Sequence, residues 1–179
     1  ASRPIRIVLC DEVDRYPISA GAEGDPVNLA IKRTTTFWNK KIGLFSTPTI
    51  KNLSRIEKAF EESDQRYFMI PCPHCGTFQR LVWGQVKFSK DAVKNSYYEC
   101  EHCGSALNDS DRVRAISKGH WEATKPFNGI AGFHLNELNS PWRKLSEIVQ
   151  DFINNKDDPE TLKTWVNTCL GETWEDAGE

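Results

Sequence analysis

The fold of this chain is decided first by residues 5–12, IRIVLCDE. The aliphatic and β-branched run from Ile5 to Cys10 predicts a buried strand, and it leads directly into Asp11 and Glu12. Open α/β sheets bind ligands beyond the carboxyl ends of their strands, so both carboxylates stand where a ligand site is expected. In P-loop ATPases the first acid of such a pair holds Mg²⁺, and the second can activate the attacking water. Many buried strands nevertheless end in solvent-facing acids.

Beyond this strand, predicted helices alternate with predicted strands. A helix is expected from Pro26, behind the capping residue Asp25, to about Trp38, where Lys40 and Lys41 close it. The next predicted elements are a strand over residues 42–45, a helix over 53–62 and a strand over 67–70. This alternation predicts a parallel sheet of the α/β class.

A hydroxyl-rich segment, Ser46-Thr47-Pro48-Thr49, follows the second predicted strand. Several ATPase motors carry such a segment beside the magnesium-binding strand, where it senses the γ-phosphate and transmits its loss. A turn that caps a helix favours the same residues. No G-x-x-x-x-G-K-[ST] motif occurs in the sequence, so it contains no loop to hold the β- and γ-phosphates. We therefore expect a preceding part of the natural protein to carry that loop.

Four of the six cysteines form two matching knuckles, CPHCG at residues 72–76 and CEHCG at residues 100–104. Two residues between thiolates allow both sulfurs to reach one tetrahedral ion, and the following glycine relieves the tight turn. The pattern predicts a closed four-cysteine zinc ribbon in preference to disulfides or a redox site. The predicted ligands are Cys72, Cys75, Cys100 and Cys103.

The two histidines of the knuckles, the other two cysteines and the nearby charged residues are interpreted separately. His74 and His102 lie inside the knuckles and are expected to be exposed spacers, because four thiolates already satisfy zinc. Cys10 and Cys169 sit in apolar patterns and are expected in the core. Lysines and arginines near the knuckles could contact DNA, but acids are interspersed among them, so a solvated surface is an equally good interpretation.

The last third of the sequence returns to apolar patterns. Residues 130–138 predict a strand, Ser140-Pro141 the start of a helix, and Asp158-Pro159 the start of another helix that ends at Gly171. The expected fold is thus a partial P-loop type of parallel sheet with an inserted four-cysteine zinc ribbon and C-terminal helices. The corresponding segments are residues 1–70, 71–125 and 126–179.

Composition agrees with an ordered globular protein. Of the 179 residues, 39% are hydrophobic and 27% are charged, unlike a disordered tail. No apolar run approaches the roughly 20 residues of a membrane span, and no signal peptide opens the chain. A net charge of −2 provides no overall basic field that would indicate nucleic acid.

Several motifs match a known family in both order and spacing. They are DEVDRYP at 11–17, AEGDP at 22–26, RTTTFWNKKI at 33–42, STPT at 46–49, the two cysteine knuckles, and NTCLGETWE at 167–175. In these motifs the chain resembles the GpA-type, lambda-like terminase large subunit of tailed bacteriophages, over essentially all of its residues. The resemblance corresponds to the middle of the family's chain.

The resemblance implies a viral DNA-packaging motor in the host cytoplasm. Such a motor cuts concatemeric DNA with an endonuclease and translocates it into a procapsid with ATP. By the resemblance, Asp11 is the Walker B ligand of Mg²⁺, Glu12 the catalytic glutamate, Ser46, Thr47 and Pro48 the coupling motif beside ATP, and the four knuckle cysteines the zinc ligands. Arg33 is a candidate for a phosphate-sensing or neighbour-facing arginine, although an arginine on a helix surface is the favoured interpretation.

The resemblance also implies partners and missing parts. The partners are double-stranded viral DNA, a small terminase subunit, the portal of the procapsid and further copies of the chain, with no membrane. Residues 1–70 would be the C-terminal part of the ATPase core, and residues 126–179 would lead towards a missing nuclease domain. Without a phosphate loop or a nuclease, this chain alone is expected to be inactive. Asp157, Asp158 and Glu160 are interpreted as acids at a helix start, not as a nuclease metal cluster.

Two alternatives stay open. One is a zinc-ribbon module that binds DNA or protein on an α/β scaffold and hydrolyses no nucleotide. The other is a helicase-like ATPase, because an acidic strand end followed by a Ser/Thr motif also occurs there. A phosphate loop upstream would favour a motor over a module, and the cysteine pairs with the NTCLGE segment favour a terminase over a helicase.

Overall fold

The computed structural model describes residues 3–175 and shows a mixed α/β protein. Its strands are β1 (Ile7–Cys10), β2 (Lys41–Leu44), β3 (Arg66–Pro71), β4 (Phe78–Arg80), β5 (Val86–Lys87), β6 (Tyr97–Glu99), β7 (Ala106–Leu107), β8 (His120–Ala123) and β9 (Phe133–His134). Its α-helices are α1 (Pro26–Lys32), α2 (Arg55–Glu61), α3 (Asp109–Ile116), α4 (Leu145–Asn155) and α5 (Pro159–Trp165). The α/β class predicted from the sequence is confirmed.

The first sheet consists of β1 and β2, which pair in parallel with Cys10 opposite Leu44. Its side chains alternate, so Val8 and Cys10 are buried with Val13 and Val27 in a small core. Ile7 and Leu9, on the other face of β1, are 46% and 68% exposed. The prediction of a buried strand is therefore correct for one face and wrong for the other.

The third predicted strand, β3, does not extend this parallel sheet. It pairs antiparallel with β4 and β8 and parallel with β9. The first cysteine knuckle lies between β3 and β4, and antiparallel neighbours need only such a short turn, whereas a parallel neighbour needs a long crossover. The predicted parallel sheet is thus limited to two strands in residues 3–175, and β3 belongs structurally with the cysteine region.

Helix α1 ends six residues before the predicted Trp38. Asp25 caps its start as predicted, accepting a hydrogen bond from the Asn28 N–H at 3.2 Å. At its end the Thr34 hydroxyl donates to the carbonyl of Ile31, 2.7 Å away, and Thr34 is fully buried. Threonine side chains that bond nearby carbonyls compete with a continuing helix, so the chain turns here and Lys41 begins β2 instead of closing the helix.

A larger core joins the cysteine region to the C-terminal helices. Its buried members are Ile70, Cys72, Leu81, Val86, Tyr98, Cys100, Leu107, Ala115, Leu138, Leu145, Ile148, Val149, Trp165, Cys169 and Leu170. Because these residues run from β3 to the turn after α5, the ribbon and the helices are stabilised by the same apolar burial. The division of the chain into three segments at residues 70 and 125 stays a prediction.

The start of α4 differs from the predicted one at Ser140-Pro141. The guanidinium of the fully buried Arg112 donates to the carbonyls of Leu138 and Ser140, which holds this segment outside a helix. Helix α4 begins five residues later, where the Glu147 carboxylate accepts the N–H of Lys144 at 2.8 Å. Of the strand predicted over residues 130–138, only β9 forms.

Helix α5 begins and ends as predicted. The Asp158 carboxylate caps it by accepting from the Glu160 N–H at 2.9 Å, and Pro159 is its first residue. A π-helical turn, Val166–Leu170, continues α5 and stops at Gly171, whose φ of 64° is the left-handed conformation that glycine adopts at little cost. Within the described part of the chain, no helix is long and apolar enough to cross a lipid bilayer.

Candidate functional site

The carboxyl ends of β1 and β2 lie side by side, as the sequence predicts for parallel strands. The Phe45 N–H donates to the Cys10 carbonyl at 2.9 Å, and the Val13 N–H donates back to the Phe45 carbonyl at 3.2 Å. The acids that follow β1 therefore lie against the start of the hydroxyl segment that follows β2. We call residues 11–14 and 46–49 together the strand edge.

Glu12 takes an unusual backbone conformation at the strand edge. Its φ of 54° and ψ of 43° are left-handed, and its N–H donates to the neighbouring Asp11 carboxylate at 3.0 Å. A non-glycine residue in this region costs about 1–2 kcal/mol, and such residues concentrate at functional sites. The side chains of both Asp11 and Glu12 are exposed, so both carboxylates are accessible to a ligand.

Asp14 organises the strand edge, although the sequence did not predict a role for it. One oxygen of its carboxylate accepts the Thr49 hydroxyl at 3.0 Å, and the other accepts the Ile56 N–H at the start of α2 at 2.8 Å. The backbone N–H of Asp14 donates to the Ser46 hydroxyl oxygen at 3.2 Å. A single aspartate thus ties the 3₁₀ turn Val13–Arg15 to the hydroxyl segment and to α2. No spacing rule in the sequence indicates these distant partners.

The structure also locates the other residues that the sequence predicted near a bound nucleotide. The Ser46 hydroxyl donates to the Thr47 carbonyl at 2.8 Å while accepting from Asp14, so it is occupied within its own turn. Thr47 is partly exposed, and Pro48 is buried. Arg33 is exposed at the C-terminal end of α1, which agrees with a helix-surface arginine.

A cleft of about 700 Å³ opens next to the hydroxyl segment. Its lining includes Ser46, Thr47 and Pro48 of the hydroxyl segment and also Arg80, His134 and Glu172. The Arg80 guanidinium lies 4.0 Å from the centre of the Tyr67 ring and 3.9 Å from the Glu172 carboxylate. The cleft therefore adjoins the strand edge, the β3 sheet and the segment after α5.

His134 is held in its neutral form at the back of this cleft. Its Nε2 lies 3.0 Å from the Gly171 carbonyl and must donate to it, which leaves Nδ1 to accept from Arg80 at 3.4 Å. Burial lowers the pKa of His134, and the adjacent positive charge of Arg80 lowers the pKa further. Protonation would place a second positive charge against the guanidinium.

The four knuckle cysteines converge as the sequence predicts. The sulfurs of Cys72 and Cys103 are 3.8 Å apart, those of Cys75 and Cys100 are 3.9 Å apart, and all four lie within 4.8 Å of one another. A cluster of this kind can hold one metal ion. His74 and His102 are exposed and take no part in the cluster, as predicted.

The two knuckles have the same backbone hydrogen bonds. In each, the glycine N–H donates to the carbonyl of the first cysteine, at 2.8 Å for Gly76 and 2.9 Å for Gly104. Both glycines have positive φ, 75° and 71°. Gln79, which no sequence pattern predicted, is fully buried; its Nε2 donates to the Cys100 sulfur at 3.1 Å and its Oε1 accepts the Glu101 N–H at 3.0 Å. Gln79 therefore holds the second knuckle against β4.

The surroundings of Cys72 and Cys100 shift the pKa values of the two thiols in opposite directions. Burial raises the pKa of the Cys72 thiol to about 11. Burial also acts on Cys100, but there the backbone N–H groups of Cys103 and His102 and the Gln79 amide together lower the pKa to about 6. Donors that stabilise a thiolate also stabilise a thiolate bound to a metal.

Among the described residues, these cysteines are the one group of metal-ligating side chains close enough to hold an ion together. The acids at the start of α5 are engaged otherwise. Asp157 forms an ion pair with Lys156, Asp158 caps the helix, and Glu160 pairs with Lys163 at 2.8 Å. Their interpretation as acids of a helix start is confirmed.

Comparison with known proteins assigns both halves of the chain to one kind of protein. Residues 1–121 match a family described as phage terminase large subunit gpA, ATPase domain. Residues 130–179 match terminase large subunit gpA, endonuclease domain. The segment that we expected to lead towards a nuclease thus matches the nuclease family directly.

Two curated relatives show the same relationship. The chain is 34% identical to a terminase large subunit of Enterobacteria phage P21 over 203 aligned positions, covering 98% of this chain and 31% of that protein. It is 31% identical to a terminase large subunit of Escherichia phage lambda, covering 92% of this chain and 30% of that protein. The chain therefore spans about a third of the length of these relatives. No solved structure matches it.

Proposed function

This chain belongs to the phage terminase large subunit gpA family, and we propose that it forms the central part of an ATP-driven motor that cuts and packages viral DNA. The observation that carries the proposal is the strand edge, where Asp11 and Glu12 lie beside the segment Ser46–Thr49 at the ends of two parallel strands. The order of the matched domains, ATPase before endonuclease, supports it.

We assign roles at the strand edge by their chemistry. Asp11 would hold Mg²⁺ of a bound nucleotide, since carboxylates are the ligands that this ion prefers. Glu12 would accept a proton from the attacking water as a general base, because its carboxylate is exposed to solvent, with the Arg15 guanidinium 4.0 Å away. Thr47 would contact the nucleotide, and Ser46 would keep the turn in place through its two hydrogen bonds.

The exposed face of the first sheet supports the proposal that this chain acts within a longer polypeptide. Ile7, Leu9 and Phe45 are 46%, 68% and 52% exposed, an apolar surface that a sheet of a complete ATPase would bury. The relatives are about three times as long as the region that matches this chain. We infer that residues of the phosphate-binding part of the ATPase cover this face.

For the cysteine cluster we propose a structural zinc ion. Zinc–sulfur bonds of about 2.3 Å place the sulfurs of a tetrahedral site about 3.8 Å apart, and the observed pairs are 3.8 and 3.9 Å apart. Cys72, Cys75, Cys100 and Cys103 would hold the ion. Four thiolates close its coordination sphere, so the ion would stabilise the fold and take no part in hydrolysis.

The expected partners follow from the family and stay proposals. They are double-stranded viral DNA, a small terminase subunit, the portal of the procapsid and further copies of the motor subunit. The expected location is the cytoplasm of the bacterial host.

A substitution of Glu12 in a full-length terminase that contains this chain tests the proposal. Glu12→Gln should keep nucleotide binding and lower the rate of ATP hydrolysis about 10²–10⁴-fold, the contribution of a general base. Glu122→Gln, an exposed glutamate on β8, is the matched control and should hydrolyse ATP at the normal rate. Normal hydrolysis and packaging by Glu12→Gln would refute the assignment.

A further inference from the structure

We propose that Asn167 is a positioning residue that couples the segment after α5 to the strand edge. The segment concerned is residues 166–175, which we call the C-terminal strap. It lies in the region that matches the endonuclease domain, whereas the strand edge lies in the region that matches the ATPase domain. The inference rests on the proposed function, because it concerns the rate of ATP hydrolysis at the strand edge.

The π-helical turn Val166–Leu170 directs the side chain of Asn167 into the protein. Asn167 is 7% exposed, and its Nδ2 donates to the carbonyl of Thr49 at 2.9 Å and to that of Glu172 at 2.8 Å. Both amide hydrogens are therefore used, one across to the strand edge and one within the strap. Isolated π-helical turns of this kind occur frequently at functional sites.

A second set of contacts runs in parallel with this amide. The Trp174 N–H donates to the same Thr49 carbonyl at 2.9 Å, and the Lys51 N–H donates to the Trp174 carbonyl at 3.0 Å. Together they form a short parallel bridge between Ile50 and Trp174. The strap is thus attached to the chain directly after the hydroxyl segment.

Thr49 connects these contacts to the acids of the strand edge. Its carbonyl accepts from Asn167 and Trp174, and its hydroxyl donates to the Asp14 carboxylate, two residues beyond Glu12. A displacement of the strap must therefore move Thr49 or break its bonds, and either change alters the support of Asp14.

A cleft of about 700 Å³ lies beside this connection, so the hydrogen bonds matter more there than side-chain packing does. Ser46–Pro48 of the hydroxyl segment and Gly171 and Glu172 of the strap all line this cleft, so open space adjoins both segments. Hydrogen bonds to Thr49, together with the bond from Thr173 to Glu57, then attach the strap beside this open space.

Steady-state ATP hydrolysis by the full-length terminase tests the inference. Asn167→Leu keeps the approximate volume and removes both donors, and Asn139→Leu, a substitution at an asparagine 8% exposed in the same region of the core, is the matched control. We expect Asn167→Leu to lower kcat for ATP at least about fivefold, the lower end of usual coupling between sites, with KM little changed. Asn139→Leu should leave kcat unchanged.

A double-mutant cycle distinguishes coupling from a loss of stability. Thr49→Val removes only the hydroxyl that bonds Asp14, so its effect on kcat and that of Asn167→Leu should be non-additive if both act through Thr49. If Asn167→Leu does not fold, Asn167→Ala replaces it in the same cycle, since it removes the same two donors and inserts no larger apolar side chain.

The outcomes separate this inference from the proposed function. If Glu12→Gln abolishes hydrolysis while Asn167→Leu behaves like Asn139→Leu, or while its effect adds fully to that of Thr49→Val, the coupling is wrong and the ATPase assignment stands. If Glu12→Gln hydrolyses ATP normally, the ATPase assignment itself fails.

Discussion

The cysteine ribbon and the strand edge are both candidate sites, but they are built in opposite ways. The ribbon takes all its ligands from two short knuckles, each closed by its own glycine and its own backbone hydrogen bonds. The strand edge depends on partners far away in the sequence, since Asp14 bonds to Thr49 and Ile56, 35 and 42 residues later. A site made from local motifs is complete in a partial chain, whereas a site made by a sheet needs the rest of the sheet.

Burial shows the same difference. Cys72 and Cys100 are 2% exposed and belong to the larger core, together with residues from β3 to the end of the strap's helical turn. Val8 and Cys10, behind the strand edge, belong to the small core that they share with Val13 and Val27. The ribbon is therefore anchored in the larger core and the strand edge in the small one.

Removal of the metal should have the largest effect, and it should act on the ribbon and the core that it shares with the C-terminal helices but not on the strand edge. Structural zinc contributes about 10–16 kcal/mol in zinc-finger peptides, comparable with the whole stability of a domain. We expect a chelator to unfold residues 71–107 first, seen as a loss of amide hydrogen-exchange protection there, while the amides of β1 and β2 stay protected. Metal analysis should find one zinc ion per chain before treatment.

Cys10, one of the two cysteines outside the ribbon, supplies the control for this experiment. Cys75→Ser should abolish zinc binding, whereas Cys10→Ser, at a buried cysteine of the small core, should keep the ion. Retention of zinc and of exchange protection by Cys75→Ser would contradict a four-thiolate site.

Loss of Asp14 should have an intermediate effect and should act on the strand edge alone. Hydrogen bonds to a charged group contribute about 1.5–3 kcal/mol each, and the Asp14 carboxylate accepts two of them. We expect Asp14→Ala to lower the free energy of unfolding by about 2 kcal/mol or more, measured by urea denaturation. Asp11→Ala, at an exposed neighbour, should change it by less than about 0.5 kcal/mol.

An equal effect of Asp14→Ala and Asp11→Ala would show that the contacts of Asp14 do not stabilise the strand edge. Zinc content provides a further check, because the ribbon should bind its ion normally in both variants.

Acidification should have the smallest effect on stability, and it should act at His134 in the lining of the cleft. The pKa of His134 is lowered in the folded protein by burial and by Arg80, so the unfolded state binds its proton more readily. The stability that neutral His134 contributes is present above the unfolded pKa of about 6.5 and is lost as pH falls through the folded pKa. One proton changes the free energy of unfolding by at most about 1.4 kcal/mol per pH unit.

Urea denaturation between pH 8 and pH 5 measures this effect. His134→Gln should weaken the pH dependence of stability relative to the unmodified chain. Identical pH profiles for His134→Gln and the unmodified chain would exclude this role.

Structural features that depend on residues close together in the sequence could be predicted. The knuckles, the capping of α1 by Asp25 and of α5 by Asp158, and the stop at Gly171 all follow from residues within one turn, and the structure confirms them. The parallel pairing of β1 with β2 also followed, because strand–helix–strand alternation favours it.

Features that depend on distant contacts could not be predicted. The place of β3 in a second sheet is decided by β8 and β9, more than fifty residues away. The late start of α4 is decided by the buried Arg112, and the roles of Asp14 and Gln79 by partners that no sequence pattern marks. The exposed face of β1 was missed because its residues are as apolar as those of a buried strand.

The left-handed backbone of Glu12 has a consequence for how this site could evolve. Glycine adopts that conformation without the steric cost that glutamate bears, so the fold by itself would favour glycine at this position. On the proposed role, glutamate is retained there by chemistry and against stability. At this position, stability favours glycine and the proposed activity favours glutamate, so the two requirements oppose each other.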